Sequence, residues 1–296
     1  MQSAALKLEK SKLADYWDLT KPGITFLVVI TALAAFYIAS YGSPDIVLLI
    51  HALLGIAFIS GGGGALNHYI EREQDMVMNR TRNRPIPAGR VHPVEALIFG
   101  IGLSVTGIVY LFITVNSVTA ILGALTLIGY IAVYTPLKKV SPHSTIIGAF
   151  PGAMPPVLGW TAVTGGISVE AVLLFTIVFF WQMPHFLGIA WMYRKDYERG
   201  GFPMLPVAQP DGKSTFRMIT IYCTGLIPVS LFPTILGLAG YIYFFTALVC
   251  GIAFLYFAVR LALEPSNMNA KYLVLASVFH LPVVMTFLMI DAVRYV

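Results

Sequence analysis

The sequence predicts an all-α fold: a polytopic membrane helix bundle of about nine transmembrane helices. Three observations carry this. Apolar residues make up 57% of the 296-residue chain and charged residues only 11%, against roughly 45–50% and about 25% in soluble domains. Residues 96–137 and 218–259 each run 42 positions without an Asp, Glu, Lys or Arg. Each run is about twice the roughly 20 residues that cross a bilayer core as a helix, so each reads as two helices joined by a turn. Asn116-Ser117 divides the first and the Gly237 to Gly240 region divides the second.

The spans follow in order as residues 23–40, 45–66, 92–113, 118–134, 144–163, 169–192, 216–238, 241–261 and 271–292. The whole chain, 1–296, is taken as one integral-membrane domain, with 1–22 as a cytoplasmic N-terminal segment. That segment is short, mixed in charge and without an apolar stretch, so neither a cleaved signal nor a transit peptide is expected. A plasma (cell inner) membrane is therefore the expected location. The cations set the orientation. Lys7, Lys10, Lys12 and Lys21 precede the first span, and Arg72, Arg80, Arg82, Arg84 and Arg90 follow the second. Lys138 and Lys139 follow the fourth, and Arg194, Lys195, Arg199, Lys213 and Arg217 lie between the sixth and seventh. Only Arg294 falls on the other side. The positive-inside rule then places the N-terminus and the long loops in the cytoplasm. The net charge of +5 follows from this topology, and no nucleic-acid partner is expected. Tyr16, Trp17, Tyr41, Trp160 and Tyr295 fall near span ends and read as interfacial anchors. Cys223 and Cys250 lie in apolar segments with no metal or disulfide spacing, and are expected to be buried, inert thiols.

Most of the acids suited to chemistry sit in two loops, each after an even-numbered span. The first holds Asn67, Glu71 and Asp75, and runs on through Arg80 and Arg84; the second holds Tyr193, Lys195 and Asp196. Asn67, Glu71 and Asp75 are four apart, so a helix continuing past the membrane surface stacks them on one face. Two carboxylates a turn apart repel unless a cation lies between them. Mg²⁺ suits such a site, since it takes oxygen ligands and binds through one or two carboxylates plus substrate phosphates. Arg supplies a bidentate fork and Lys a point charge for the phosphate. Gly61 to Gly64 precedes this motif. Such a run serves close helix packing or a local opening for substrate, and packing is the expectation. Pro184 lies inside the sixth span, followed by His185 among aromatics. His185 has two readings: a metal or haem contact, or a hydrogen bond that repairs the backbone freed by Pro184.

The run Asn67-x3-Glu71-x3-Asp75-x2-Met78-x-Arg80-Thr81-x2-Arg84-Pro85 resembles the first motif of the UbiA-type intramembrane prenyltransferases. Its last part, with Trp181-Gln182-Met183-Pro184-His185-Phe186, Asp196-Tyr197 and Gly201-x-Pro203-Met204-Leu205-Pro206-Val207, is similar to one branch, the protohaem IX farnesyltransferases. The Tyr134-Thr135 region with Lys138-Lys139 resembles that branch's third polar loop. The similarity extends from about Leu19 to the C-terminus. It implies transfer of a farnesyl group from farnesyl diphosphate to a vinyl carbon of haem B, giving haem O and diphosphate with Mg²⁺ as cofactor. The residues so implied are Asn67, Glu71, Asp75 and Asp196 as the catalytic and metal-binding set, and Arg80, Arg84, Lys138, Lys139 and Lys195 for the diphosphate. His185, Trp181 and Tyr193 are assigned to the acceptor. A haem A synthase or terminal oxidase assembly is an implied downstream partner. Glu71 stands where the superfamily motif usually has Asp, which keeps the charge and adds one methylene. Thr20-Lys21-Pro22 is followed by Gly23 where this branch would have Arg, and no diphosphate contact is assigned there. Three other readings fit part of the pattern. A quinone-precursor or chlorophyll-type prenyltransferase shares the first motif but not the Pro184-His185 and Pro203 to Val207 segments. A secondary transporter would place its polar groups near the bilayer midplane. A non-catalytic haem carrier leaves Glu71 and Asp75 without a purpose.

Overall fold

The computed structural model describes residues 11–292, so Lys7, Lys10, Arg294 and Tyr295 lie outside the described residues. Among those described there is no strand, and nine helical segments are long and apolar enough to cross a membrane.

A short helix α1 (Lys12–Leu19) precedes the spans. It exposes Leu13 and Trp17 and buries Asp15 and Leu19, the amphipathic division of a helix lying in the membrane interface. Tyr16 donates to Glu95 at 3.2 Å. Lys21 then turns the chain in the left-handed region (φ 50°) and Pro22 opens α2 (Pro22–Ala39), the first helical position being where Pro loses no helix hydrogen bond. Asp45 caps α3 (Ile46–Ile70), its side chain accepting from the Val47 and Leu48 amides. After α4 (Arg72–Val77) and a turn-rich loop comes α5 (Pro93–Thr114).

Helices α3 and α5 form a tight pair because glycines line both sides. A Cβ on Gly62 would stand 2.7 Å from the Ser104 amide nitrogen, and one on Gly107 would stand 2.9 Å from the Gly55 carbonyl oxygen. Gly64 backs onto Leu19 and Thr20, and Gly63 onto Leu127 and Tyr130. The four-glycine run therefore serves packing, as expected. Small residues allow backbones to approach where lipid offers no hydrophobic drive for association.

Two spans differ from their expected continuous form. The fourth begins as α6 (Ser117–Ile128), capped by the Asn116 side chain, then widens to a π-helical turn over Gly129–Tyr134 and ends as α7 (Thr135–Leu137). Within it the Thr135 hydroxyl donates to the Tyr130 carbonyl at 2.8 Å. The fifth is broken into α8 (Ser144–Gly152) and α9 (Pro155–Thr164), because Pro155 and Pro156 donate no hydrogen bond back to the preceding turn. Next come α10 (Val169–Met192), α11 (Arg194–Arg199) and α12 (Leu205–Ala208). The last three spans are α13 (Lys213–Ile235), α14 (Tyr241–Leu263) and α15 (Asn267–Ala292).

Helix α10 is the hub, packing on α8, α9, α13 and α15, while α15 returns to touch α2. Its Leu174, Ile177, Trp181, Met183 and Leu187 are buried in the largest apolar cluster. Large apolar side chains such as Phe112, Phe245 and Val249 point outward, the surface a lipid-facing bundle requires. Trp160 corrects one expectation. It is 7% exposed and packed inside the bundle, whereas Trp17 and Tyr41 are exposed as anchors. Cys223 is buried and Cys250 half-buried, and neither is in a disulfide.

Candidate active site

The α3–α4 junction sets the geometry of the site. Glu71 sits in a turn (φ −91°, ψ 5°) that ends α3 and starts α4. The helical rhythm nevertheless passes through it. The Glu71 amide donates to the Asn67 carbonyl and the Asp75 amide to the Glu71 carbonyl, each at 2.9 Å. Asn67, Glu71 and Asp75 thus form a ladder one turn apart, and all three are buried, at 2%, 3% and 0% exposure.

Each rung has its own cation. The Lys21 ammonium donates to Asn67 Oδ1 and reaches the Tyr130 hydroxyl at 3.4 Å. Lys138 Nζ donates to both oxygens of Glu71, at 3.0 and 3.3 Å. Arg84 Nη1 donates to Asp75 Oδ2 at 2.7 Å. Asn67 Nδ2 donates to Thr135 Oγ1 at 3.3 Å, which ties the ladder to the π-helical turn. Three cations face two carboxylates, so the cluster carries an excess of positive charge. That is the sign needed to take an anion.

The ionisation of these groups follows from burial and from one another. Burial, reinforced by the positive field of Arg84, lowers the Lys21 ammonium to about 7, with Glu71 pulling the other way. Burial alone would raise the Glu71 carboxyl, but Lys138, Lys21 and Arg84 together outweigh it and hold it below its ordinary value. Burial opposes the charge on Lys138, yet the Glu71 carboxylate beside it raises its ammonium well above the usual range. Glu71 and Lys138 are therefore a charged pair.

The second loop meets the first directly. Asp196 accepts from the backbone amides of Asn79 and Arg80 at 3.3 and 3.1 Å and from the Arg199 guanidinium. Arg80 donates to the Tyr197 hydroxyl at 3.4 Å, and its guanidinium lies 5.1 Å from the Tyr193 ring centre. Beneath these polar contacts Met78, Tyr197, Phe202 and Met204 form a buried apolar knot.

The residues singled out from sequence are divided by this geometry. Asn67, Glu71, Asp75, Arg84 and Lys138 form the buried cluster, with Arg80 and Asp196 on its second-loop side. Lys139 turns away and donates to the Ile70 carbonyl at 3.3 Å, capping the end of α3. Lys195 is exposed and lines a shallow groove of about 290 Å³ with Tyr193, Arg194 and Asp196. His185 and Trp181 lie lower on α10, at its seam with α15. His185 Nδ1 hydrogen-bonds Ser277 Oγ at 2.6 Å, stacked on the Trp181 ring at 5.3 Å. Trp181 Nε1 donates to the Ser277 carbonyl at 2.8 Å.

Four contributors were not assigned from sequence: Lys21, Tyr130, Thr135 and Tyr197. Lys21 carried a usable signal, a lone Lys before Pro22 at the start of an apolar run. Tyr130 and Thr135 depend on the π turn, which side-chain periodicity does not reveal.

Asp75 tests whether the site suits a divalent ion. Its Oδ1 is buried without a hydrogen-bond partner while Oδ2 is paired with Arg84. A bare carboxylate oxygen inside protein is a costly group unless something binds it. Among the described residues no three His, Cys, Asp or Glu side chains converge on one point. The donors present are thus the one or two carboxylates with which Mg²⁺ is usually held, substrate phosphates supplying the rest.

A sequence model described as the UbiA prenyltransferase family matches residues 28–290. A protein of Solibacter usitatus named protoheme IX farnesyltransferase is 44% identical, the match covering 94% of this chain and 98% of that one. One of the same name from Koribacter versatilis is 46% identical over 95% of this chain and 94% of its own. The solved structure of a digeranylgeranylglyceryl phosphate synthase superposes with a TM-score of 0.79 at 20% identity, covering 95% of this chain and 99% of that one. A UbiA homolog from Archaeoglobus fulgidus bound to GPP and Mg²⁺ gives 0.60 at 14% identity, with 93% and 99% covered. At these identities the structural likenesses speak to the fold alone.

Proposed function

The chain belongs to the UbiA prenyltransferase family, and on that premise we propose that it farnesylates haem B, giving haem O and diphosphate. The observation that carries this reading is the buried ladder of Asn67, Glu71 and Asp75 faced by Lys21, Lys138 and Arg84, in a chain that matches protohaem IX farnesyltransferases over nearly its full length.

Arg84, Lys138, Lys21 and Arg80 receive the diphosphate. Mg²⁺ held by Asp75 and Glu71, with Asn67 orienting them, would neutralise charge on the same oxygens. Cations aimed at the leaving group stabilise the charge that develops as the allylic C1–O bond breaks, the electron pair staying with diphosphate. The vinyl group of haem B donates its π electrons to C1, forming the new carbon–carbon bond. Water adds to the resulting cation and loses a proton, completing a hydroxyethyl-farnesyl side chain. The apolar spans keep water from the first cation until the bond has formed. Asp196 braces the two loops by accepting from the Asn79 and Arg80 amides, and its carboxylate would be a further oxygen donor for the metal. Trp181 and His185 form the acceptor end, deeper on α10 than the diphosphate, while Tyr193 lies at the helix end beside Arg80. The cationic loops gather at the active-site end of the bundle, so the site faces the cytoplasm across the plasma membrane. Haem O would pass from here to a haem A synthase or a terminal oxidase.

The direct test is mass spectrometry of haem after purified protein is incubated with haem B, farnesyl diphosphate and Mg²⁺. A haem heavier by one farnesyl group and one hydroxyl is expected. Haem B recovered unchanged, with farnesyl diphosphate intact, would overturn the proposal. His185→Ala should shift the haem absorption spectrum or weaken haem binding while farnesyl diphosphate still binds. Unaltered haem binding and spectrum would remove His185 from the site.

A further inference from the structure

Helix α1 carries a buried ion pair for which the diphosphate chemistry has no direct use. Asp15 is 2% exposed, and its Oδ1 accepts from Arg90 Nε at 2.7 Å. A carboxylate taken out of water destabilises the fold unless its partner is well placed. Arg90 has a second contact. Its Nη2 donates at 3.0 Å to the Asn83 carbonyl, the peptide oxygen immediately before Arg84. The Ala88 amide donates to the Arg84 carbonyl at 3.0 Å and the Arg90 amide to the Pro85 carbonyl at 2.9 Å. Arg84 and Arg90 are therefore the two ends of one hydrogen-bonded turn, and Arg90 fastens that turn to α1.

The far end of α1 leads into Lys21. The Thr20 and Lys21 amides donate back to the Trp17 and Asp18 carbonyls at 3.1 and 3.2 Å. Lys21 itself holds a φ of 50°, an uncommon conformation for a residue with a side chain. The direction of its ammonium is thus tied to the seat of α1. That seat has three supports. The end of α1 lies on Gly64 of α3, where a Cβ would stand 3.0 Å from the Leu19 carbonyl oxygen. Leu19 packs with Ala65, Ile86, Val91 and Ala96 in a buried cluster. Asp15, one turn before Leu19 on the same helix face, is gripped by Arg90. Lys21 meets Asn67 and Arg84 meets Asp75, so the Asp15–Arg90 pair joins the mounts of two cations at opposite ends of the ladder.

We propose that Asp15 and Arg90 are positioning residues for the diphosphate site: their ion pair sets the spacing of Lys21 from Arg84 without either residue touching the substrate. This rests on Lys21 and Arg84 receiving the diphosphate. Both nitrogens of the Arg90 fork that make these contacts are committed, one to Asp15 and one to the Asn83 carbonyl. A Lys at this position keeps the charge for Asp15 but cannot bridge the two oxygens.

The test is calorimetric binding of farnesyl diphosphate with Mg²⁺ and without haem, so that nothing is turned over. Asp15→Asn gives opposite signs for the two readings. Coulomb's law alone predicts tighter binding of an anion once a nearby negative charge is removed. A lost strut predicts weaker binding, by about tenfold or more, because a displacement of about 1 Å in a positioned group carries losses on the order of 100-fold. Arg90→Gln should weaken binding to a similar extent, and the double variant should be no weaker than Arg90→Gln alone, as coupled partners behave. Haem B affinity, followed by absorbance, should stay within about twofold throughout. Unchanged or tighter binding by Asp15→Asn overturns the inference, and so does an equal loss of both ligands, which marks a general loosening of the fold. If Asp15→Asn does not fold, Arg90→Lys provides the same readout: a loss of about threefold or more supports the strut, and wild-type affinity overturns it. Wild-type protein that binds no farnesyl diphosphate would overturn the proposed function, and this inference with it; wild-type binding matched by the variants overturns this inference alone.

Discussion

Asp75 carries the most chemical information of any single residue here. Its side chain is wholly buried, one oxygen is paired with Arg84, and the other has no partner. Asp75→Asn keeps the volume and removes the charge, so the fold should survive while turnover falls by at least about 100-fold, the scale on which charge-stabilising groups act. Steady-state assays with a thermal-unfolding control measure this, and turnover within a few-fold of wild type would exclude Asp75 from the metal site. Excess chelator should stop wild-type turnover, and Mg²⁺ should restore it. Arg84 makes a different prediction. Replacing its fork with a point charge in Arg84→Lys should raise KM for farnesyl diphosphate by about tenfold, because the bidentate geometry is lost and not the charge. An unchanged KM would show that Arg84 serves only to hold Asp75.

The α3–α5 pair and the fourth span show how elements place these residues. Gly62 lies so close to α5 that a methyl group would meet Ser104 Oγ at 2.2 Å and the Gly100 carbonyl at 2.8 Å. Gly62→Ala must push the helices apart, and a loss of about 1–3 kcal/mol is expected from such overpacking. The control is Gly102→Ala on α5, where nothing lies within 4 Å, and which should be neutral to within about 1 kcal/mol. Thermal midpoints in detergent compare the two, and equal midpoints would mean that the contact can relax without cost. In the fourth span, the π turn over Gly129–Tyr134 brings Tyr130 and Thr135 to the ladder and leads into Lys138. A single π turn inside an α-helix often marks a functional site, and here it delivers three side chains to one cluster.

At the scale of the molecule, four spans separate the two polar loops in sequence, yet the fold joins them through Asp196 and the backbone of Asn79 and Arg80. This gathers the cationic loops at one end of the bundle and leaves the α9–α10 turn at the other. In a background lacking Cys223 and Cys250, Ile167→Cys should react with a membrane-impermeant maleimide in intact cells. Arg82→Cys should react only after the membrane is opened. The reverse pattern would invert the proposed topology.

The number and type of spans were legible because an apolar run long enough to cross a bilayer has few alternatives: its backbone must bond internally, and a helix does so locally. The four-residue spacing of Asn67, Glu71 and Asp75 was legible for a related reason, since local hydrogen bonds four residues apart keep that period through the turn at Glu71. Local rules could not separate Lys138 from Lys139 or isolate Lys195, because which neighbour faces a cluster depends on the turn that precedes it. Nor could they find Lys21, whose ammonium reaches Asn67 from 46 positions away, or the breaks that reshape the fourth and fifth spans. Hydropathy and periodicity act within one segment. The pairing of cations with carboxylates and the approach of α11 to the first loop arise from packing between segments, and only the tertiary structure decides them.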